Sequence, residues 1–278
     1  MGSSEQLTEL VRMTQQRDEE IDLGRATLLL AQQRSPDLDV ERYLAKLDEI
    51  AAAVRRSLGE DADPRRLVEE MNRQLYEVEG FRGNERDYYD PRNSYLNEVL
   101  DRKVGIPITL SILYMEVGRR IALPIVGVGL PGHFLVKVFG VDGDLLIDPY
   151  SGGAQLTEDD CQERLDRVYG GLLRLDKRML QPVTKKQILV RILNNLKTIY
   201  LNQGEFEAAL DVVQDILALE PSSMADLRDR GLLFYRGNRF AEALSDLRKY
   251  LMLATTAEDR EQIKQTVHGI ESILAVLG

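Results

Sequence analysis

The chain has 278 residues, 44% of them hydrophobic, which is long enough for one large domain or two modest domains with a packed core. Its 46 acidic side chains outnumber 36 basic ones and give a net charge of −10, so we expect it to bind neither nucleic acid nor an anionic membrane surface. The single cysteine excludes an intrachain disulfide, and without an apolar leader or a run of ~18 apolar residues we expect a cytoplasmic protein with no membrane span.

Helices predominate in the first hundred residues. The apolar spacing predicts two helices within residues 20–58 and a third over 64–78, with Asp63 as its N-terminal cap. A loop rich in glycine and aspartate, "YEVEGFRGNERDYYDPRNSY", follows. Asn93 or Ser94 is then expected to cap the short helix of "YLNEVLDRK".

The middle of the chain changes from helix to strand. "PITLSILYMEVGRRIAL", which begins at Pro107, is apolar on nearly every face and therefore predicts a core helix. "IVGVGL", "HFLVKVF" and "LLIDPY" predict strands, and residues 156–180 predict a return to helix. With "QPVTKK" (181–186) as the boundary, residues 1–180 are expected to form an α+β domain with a small antiparallel sheet.

The last third of the chain repeats itself. Its period of 34 residues, with small side chains where helices approach closely, is typical of tetratricopeptide repeats. We therefore expect residues 181–278 to form an all-α domain of two repeats and a capping helix that binds a protein or peptide partner. The matching pairs are Tyr200 and Phe234, Phe206 and Phe240, Ala209 and Ala243, and Leu210 and Leu244.

The repeats lack a complete carboxylate clamp. Such clamps use Lys and Asn at set places on the first helix of successive repeats. Here Asn194, Thr198 and Asp229 fall near those places, so capture of a C-terminal carboxylate is not expected.

Cofactor and metal sites are not expected either. "GVGLPG" (127–132) matches the letters of a dinucleotide fingerprint, but an apolar strand-like run follows it where the fingerprint needs a helix. Two histidines and one cysteine cannot assemble a zinc site without several carboxylates.

His133 and Asp148 stand on two strand-like segments joined by a hairpin. A tight turn at Asp142-Gly143 would pair Asp148 with Lys137 and leave His133 roughly 13 Å from Asp148. Direct pairing of His133 with Asp148 would need a hairpin centred near Gly140–Val141, or an offset from a bulge. Both registers place the side chains on one face of the sheet, so a structural histidine and an oriented base both stay open.

Several longer stretches resemble one family. "PDLDVERYLAKLDEIA", "GFRGNERDYYDPRNSYLNEVLDRKVGIPITLSILY", "GVGLPGHFLVKV" and "IDPYSGG" resemble the SirB1 family, in which a transglutaminase-like domain precedes tetratricopeptide repeats. The resemblance implies a papain/transglutaminase-like core. In that superfamily a cysteine starts a buried helix, a histidine opens a strand and an aspartate lies on the next strand.

This chain departs from the superfamily pattern at one position. His133 and Asp148 take the second and third places, but Pro107 stands at about the position of the cysteine. Cys161 follows Asp148, and its acidic neighbours disfavour a thiolate. We therefore expect a catalytically degenerate fold, a pseudoenzyme that acts as a binding or scaffold protein with His133 and Asp148 as a remnant dyad.

The alternative is an enzyme. Thr109 or Ser111, in the first turns of the buried helix, could serve His133 and Asp148 as nucleophile for hydrolysis or acyl transfer. Hydroxyls in apolar helices also bond back to the preceding turn, which is a structural role. For a ligand pocket beside this helix, the polar residues expected are Asn93, Arg102 and Tyr89, although caps and salt bridges would also explain them.

Overall fold

The computed structural model describes residues 2–58, 62–140 and 143–277. The chain divides into two compact units, residues 1–192 and residues 193–278. The division falls inside a long helix, α8 (Lys185–Gln203), that begins at the end of the predicted boundary segment 181–186. In the described residues no helix combines the length and apolarity needed to cross a membrane.

The first unit is mainly helical, and local sequence signals explain where its helices begin. Asp22, Asp39 and Asp63 each cap a helix by accepting a backbone N–H from its first turn. The helices are α1 (Gly2–Thr14), α2 (Leu23–Arg34), α3 (Val40–Ser57), α4 (Pro64–Asn72), α5 (Leu96–Arg102), α6 (Pro107–Arg120) and α7 (Glu158–Tyr169).

Two of the predicted helices differ from the structure in detail. The third predicted helix, over residues 64–78, is α4 only as far as Asn72. Its last six residues, Arg73–Val78, form a π-helix. The predicted cap of α5 is wrong, because Asn93 and Ser94 belong to a preceding 3-10 turn that Asp90 caps. Tyr95 stands at the N-terminus of α5 and gives it no side-chain cap.

Helix α6 forms the centre of the first unit. Pro107 occupies its first turn, where a missing N–H costs nothing, and every residue from Pro107 to Gly118 is buried. The helix packs against α2, α3 and the sheet. Because it is covered on all sides, its polar side chains must find partners inside the protein.

The sheet is a four-stranded antiparallel meander in the order β3-β4-β5-β6. All three predicted strands are present, and β6 is an addition. The strands are β3 (Ile125–Val128), β4 (Leu135–Val138), β5 (Leu145–Asp148) and β6 (Ala154–Leu156). A separate parallel pair joins β1 (Arg82–Gly83) to β2 (Val104–Gly105).

The hairpin register differs from both alternatives given by the sequence. Lys137 lies opposite Leu146, so the register of a tight turn at Asp142-Gly143 is wrong, although Asp142 itself lies outside the described residues. Continued by one step, this register places Asp148 level with Leu135. His133 then stands two residues further on the same face, at diagonal distance from Asp148.

The second unit contains the repeats. Two helix pairs and a last helix are present, as the period of 34 residues predicts. Following α8, the helices are α9 (Phe206–Leu219), α10 (Met224–Arg236), α11 (Phe240–Leu253) and α12 (Arg260–Leu277). Gly231 on α10 faces Leu247 on α11 so closely that a Cβ at this glycine would lie 2.7 Å from the leucine Cδ2.

This contact predicts that Gly231→Ala destabilises the protein by about 1–3 kcal/mol, because the new methyl group overpacks the α10–α11 contact. Gly269 on α12 provides the matched control, since a Cβ there would have nothing within 4 Å. Gly269→Ala should stabilise the protein by about 0.5–1 kcal/mol, through helix propensity alone. Urea unfolding of the full chain, followed by circular dichroism, measures both changes. Shifts of the same sign would contradict the packing argument.

Candidate functional site

The carboxylate of Asp148 lies at the end of β5 and is fully buried. Its Oδ1 atom accepts the backbone N–H groups of Tyr150 and Ser151 at 3.0 and 3.3 Å, which caps the 3-10 turn that follows. The Oδ2 atom accepts the Ser151 hydroxyl at 2.8 Å. Asp148 therefore has a structural task of its own, independent of any partner on a neighbouring strand.

Two side chains, an imidazole and a guanidinium, converge on this carboxylate. Nε2 of His133 lies 3.0 Å from Oδ1, without the alignment of a linear hydrogen bond. Nη2 of Arg164, on α7, lies 2.6 Å from Oδ2. Burial by itself would raise the pKa of the Asp148 carboxyl, but His133, Ser151 and Arg164 outweigh it and hold the pKa below its ordinary value. Asp148 is therefore charged at neutral pH.

A turn of defined geometry presents His133. The His133 N–H donates to the Leu130 carbonyl at 3.0 Å, and Gly132 between them has a φ of +72°. Proline followed by glycine at the two central positions is the signature of a type II turn, in which the second central residue needs a positive φ. Arg191 donates to the carbonyls of Leu130 and His133 at 2.8 and 2.7 Å and so closes both ends of the turn.

His133 lines a small open cavity of about 250 Å³. The Tyr150 ring meets the imidazole edge-on, with 6.0 Å between the ring centroids. Burial raises the pKa of the Tyr150 hydroxyl, so this side chain is neutral at physiological pH. The lining residues are Glu85, Pro131, Gly132, His133, Tyr150, Ser151, Arg164, Arg167 and Val168.

The two hydroxyls considered as nucleophiles are bonded to backbone carbonyls. Thr109 is buried, accepts the Ile106 N–H at 3.1 Å and donates to the Asn93 carbonyl at 2.7 Å. Ser111 is also buried and makes a long contact of 3.4 Å to the Phe134 carbonyl. Neither is among the described residues that line the cavity at His133.

Cys161 is part of the hydrophobic core. It is fully buried beside Leu130, Leu135 and Leu165. Burial is the main cause that raises the pKa of its thiol to about 11. A thiol with this pKa is protonated at neutral pH and is a poor nucleophile.

The polar residues predicted for a ligand pocket organise the loop before α5. Asn93 is fully buried, and its amide donates to the carbonyls of Asp87 and Tyr88. Arg102 forms a 3.0 Å ion pair with Asp90. Tyr89 is 61% exposed and contacts the neighbouring tyrosine ring edge-on. Within the described part of the chain, the lining of the His133 cavity includes none of these three side chains.

Sequence reasoning missed Arg164, Arg167, Tyr150 and Ser151. The aspartate-proline pair at 148–149 does announce a capped turn, so Tyr150 and Ser151 could have been placed beside Asp148. Arg164 and Arg167 are three residues apart on a predicted helix and therefore share a face. No local signal, however, states that this face crosses the end of β5.

A larger cavity of about 510 Å³ lies elsewhere in the first unit, between α3, α5 and the π-helix. Four of its six charged lining side chains are already paired, Lys46 with Asp101 and Lys103 with Glu79. Paired charges leave little electrostatic attraction for a ligand, so the His133 cavity is the better site despite its smaller volume. No group of three or more metal-binding side chains occurs among the residues that the structure describes.

Comparison with known proteins places these features in a family. Residues 41–194 match the transglutaminase-like superfamily, and residues 196–268 match the tetratricopeptide repeat. A UPF0162 protein of Xylella fastidiosa strain Temecula1 is 36% identical over 250 residues, which cover 89% of this chain and 89% of that protein. A UPF0162 protein of Pseudomonas aeruginosa is 30% identical over 243 residues, which cover 87% of this chain and 88% of that protein. F-box only protein 21 of Homo sapiens is 29% identical over 180 residues, which cover 61% of this chain and 28% of that protein.

The chain therefore belongs to the transglutaminase-like superfamily, with tetratricopeptide repeats after the transglutaminase-like domain. This confirms the domain order implied by the SirB1 resemblance and the α+β fold class with a small antiparallel sheet.

The buried ion pair predicts a pH-dependent stability. Asp148→Asn should cost about 2–4 kcal/mol at neutral pH, because Arg164 loses its countercharge. Since the folded pKa of Asp148 is depressed, this contribution is complete above the ordinary carboxyl pKa of about 3.9 and is lost as pH falls through the folded pKa. The difference between wild type and variant, measured by urea unfolding, should therefore shrink below about pH 4.

Asp176→Asn is the matched control for this experiment. Asp176 also caps a 3-10 turn and pairs with an arginine, Arg178, but at an exposed position. Solvent screening should make its effect much smaller than that of Asp148. Equal losses in the two variants would contradict a special role for the buried carboxylate.

Proposed function

We propose that this member of the transglutaminase-like superfamily is a non-catalytic binding protein, a pseudoenzyme of the fold. In this proposal the cleft at His133 holds a ligand, and the repeats hold a protein or peptide partner. The observation that carries it is the direction of the Thr109 hydroxyl, which donates to the Asn93 carbonyl inside the protein. A nucleophile must instead present its hydroxyl to the base.

The remaining nucleophile positions support the same proposal. Pro107, at about the place of the superfamily's cysteine, has no nucleophilic atom. Cys161 is buried among leucines with a raised pKa. His133 and Asp148 then act as a remnant dyad that keeps the cleft in shape, with Asn93 and Arg102 supporting the adjacent loop.

The repeat unit supports a protein partner of a particular kind. Asp229, one of the three residues near the carboxylate-clamp positions, forms ion pairs with Lys197 and Arg228 at 3.0 and 2.7 Å. The Thr198 hydroxyl donates to the Asn194 carbonyl. Since the lysine nearest to the clamp positions is already neutralised, we propose that the repeats recognise an internal segment of a partner and not a C-terminal carboxylate.

The alternative function is amide hydrolysis or acyl transfer by Thr109 or Ser111. One observation favours it, because the 3.0 Å contact with Asp148 holds His133 as an oriented base would be held. Ser111 is the better nucleophile of the two, since its contact with the Phe134 carbonyl is the longer one.

An activity assay separates the two functions. With a glutamine-containing peptide as acyl donor and hydroxylamine as acceptor, we expect wild type and His133→Ala to give the same rate as buffer alone. Turnover that is lost in His133→Ala and in Ser111→Ala or Thr109→Val, with circular dichroism unchanged, would sink the proposed function and establish the enzyme.

A second test addresses Pro107 directly. In Pro107→Cys the introduced thiol would stand at the N-terminus of α6, and if His133 is adjacent its pKa should fall below the ordinary value of about 8.5. The ultraviolet absorbance of the thiolate, recorded against pH, measures this pKa. Cys161 does not interfere because its own pKa is about 11.

The same variant with His133→Ala is the control. Its thiol pKa should rise, since the imidazolium that stabilises the thiolate is gone. An unshifted pKa in both proteins would show that Pro107 does not mark the place of a nucleophile.

A further inference from the structure

A second cavity neighbours the cavity at His133. This neighbour measures about 460 Å³ and lies along β1. Glu85 and Tyr150 line both cavities, so the two are neighbours on either side of these residues. The lining residues of the second cavity are Arg82, Gly83, Asn84, Glu85, Arg86, Val104 and Tyr150. We refer to the two cavities together as the Tyr150 groove.

The Tyr150 groove is basic in an acidic chain. Arg82 and Arg86 line one end, Arg164 and Arg167 line the other, and Glu85 stands between them. Among the residues that the structure describes, Arg164 alone of these four arginines has a carboxylate partner, the buried Asp148. Arg82, Arg86 and Arg167 are exposed, and none forms an ion pair with another described residue. The groove thus opposes the formal charge of −10 carried by the whole chain.

The edge of β1 adds backbone hydrogen-bonding groups to the charged side chains of the groove. The N–H of Arg82 donates to the carbonyl of Lys103, just before β2, and the N–H of Asn84 donates to the carbonyl of Gly105 in β2. Because alternate residues of a strand direct their peptide groups to opposite sides, the N–H and C=O of Gly83 point away from β2. Gly83 lines the groove, and its Cα lies so close to the Tyr150 ring that a Cβ would come within 2.6 Å of it.

From these observations we propose that the Tyr150 groove binds an extended, acidic peptide segment of a partner protein. The segment pairs its main chain with Gly83, and its carboxylates meet the arginines at the two ends. This rests on the proposed function, since it names the ligand of the same cleft. Arginine suits carboxylates because its planar guanidinium can donate two parallel hydrogen bonds. Addition of a strand to an open sheet edge is a common way to hold an extended peptide.

The probe is a fluorescent peptide of alternating valine and glutamate. In an extended chain its glutamates all lie on one face. We expect binding to the full-length protein, measured by fluorescence anisotropy, that is weakened at least about tenfold when glutamine replaces glutamate. A peptide with N-methyl groups on alternate amides should also bind at least about tenfold more weakly, because it cannot pair with Gly83.

The protein variants test the location. Arg86→Glu with Arg167→Glu should weaken binding at least about tenfold. Arg65→Glu with Arg66→Glu makes the same change of net charge at exposed positions on α4, outside the groove, and should alter binding by less than about twofold. Circular dichroism confirms that each variant is folded.

Several results would overturn the proposal. Equal binding of the glutamine peptide would exclude recognition of carboxylates, and equal loss in both double variants would reduce the effect to net charge. Equal binding of the N-methylated peptide would exclude pairing with the strand edge. Tighter binding of an oligothymidylate with the same dependence on Arg86 and Arg167 would assign the groove to nucleic acid.

Mass spectrometry of the recovered peptide separates this inference from the proposed function. A bound peptide that returns cleaved refutes the non-catalytic function while the ligand class stands. An intact peptide that does not bind refutes the ligand class and leaves the non-catalytic function in place.

Discussion

The buried carboxylate of Asp148 fixes the relative positions of three segments: the 3-10 turn that follows it, helix α7 and the turn before β4. An ionised carboxylate without solvent is costly unless other groups compensate its charge and fill its hydrogen-bonding capacity. Here the 3-10 turn after β5 supplies two N–H groups and a hydroxyl, α7 supplies Arg164, and the turn before β4 supplies His133. The contacts that compensate the charge of Asp148 therefore determine how the turn, the helix and the strand pack together. The cleft lies between these three segments.

Much of the fold was predictable from two sequence patterns, the alternation of residues along the strands and the period of the repeats. The two hairpin registers considered from the sequence and the register observed differ by steps of two residues, so all of them put His133 and Asp148 on one face of the sheet. Their distance was not predictable, because the loop between β4 and β5 moves the register two residues away from the one that Asp142-Gly143 favours. The repeats were easier, since a period of 34 residues is independent of any single turn.

The rest of the site depends on contacts between elements, which a local pattern does not encode. The amphipathic pattern of α7 identifies Cys161 and Leu165 as its core face, yet it cannot say that Arg164 crosses the end of β5. Asn93 illustrates the opposite problem, a residue that the sequence suggests for a ligand site but that has a structural role. A polar residue in a loop beside the central helix suggests a ligand contact, but a buried loop must also satisfy its own carbonyls, and Asn93 does this for Asp87 and Tyr88.

The partners of Asp148 also bear on the choice between proton transfer and binding. In a catalytic triad the aspartate stabilises the imidazolium that forms when the histidine takes a proton. Here Arg164 approaches the same carboxylate at 2.6 Å, closer than His133 at 3.0 Å, and neutralises part of the charge that an imidazolium would need. The exposed Arg82, Arg86 and Arg167 around it have no carboxylate partner among the described residues and remain available to an anion. This distribution of charge supports the proposed binding of a carboxylate over the alternative, the activation of a hydroxyl.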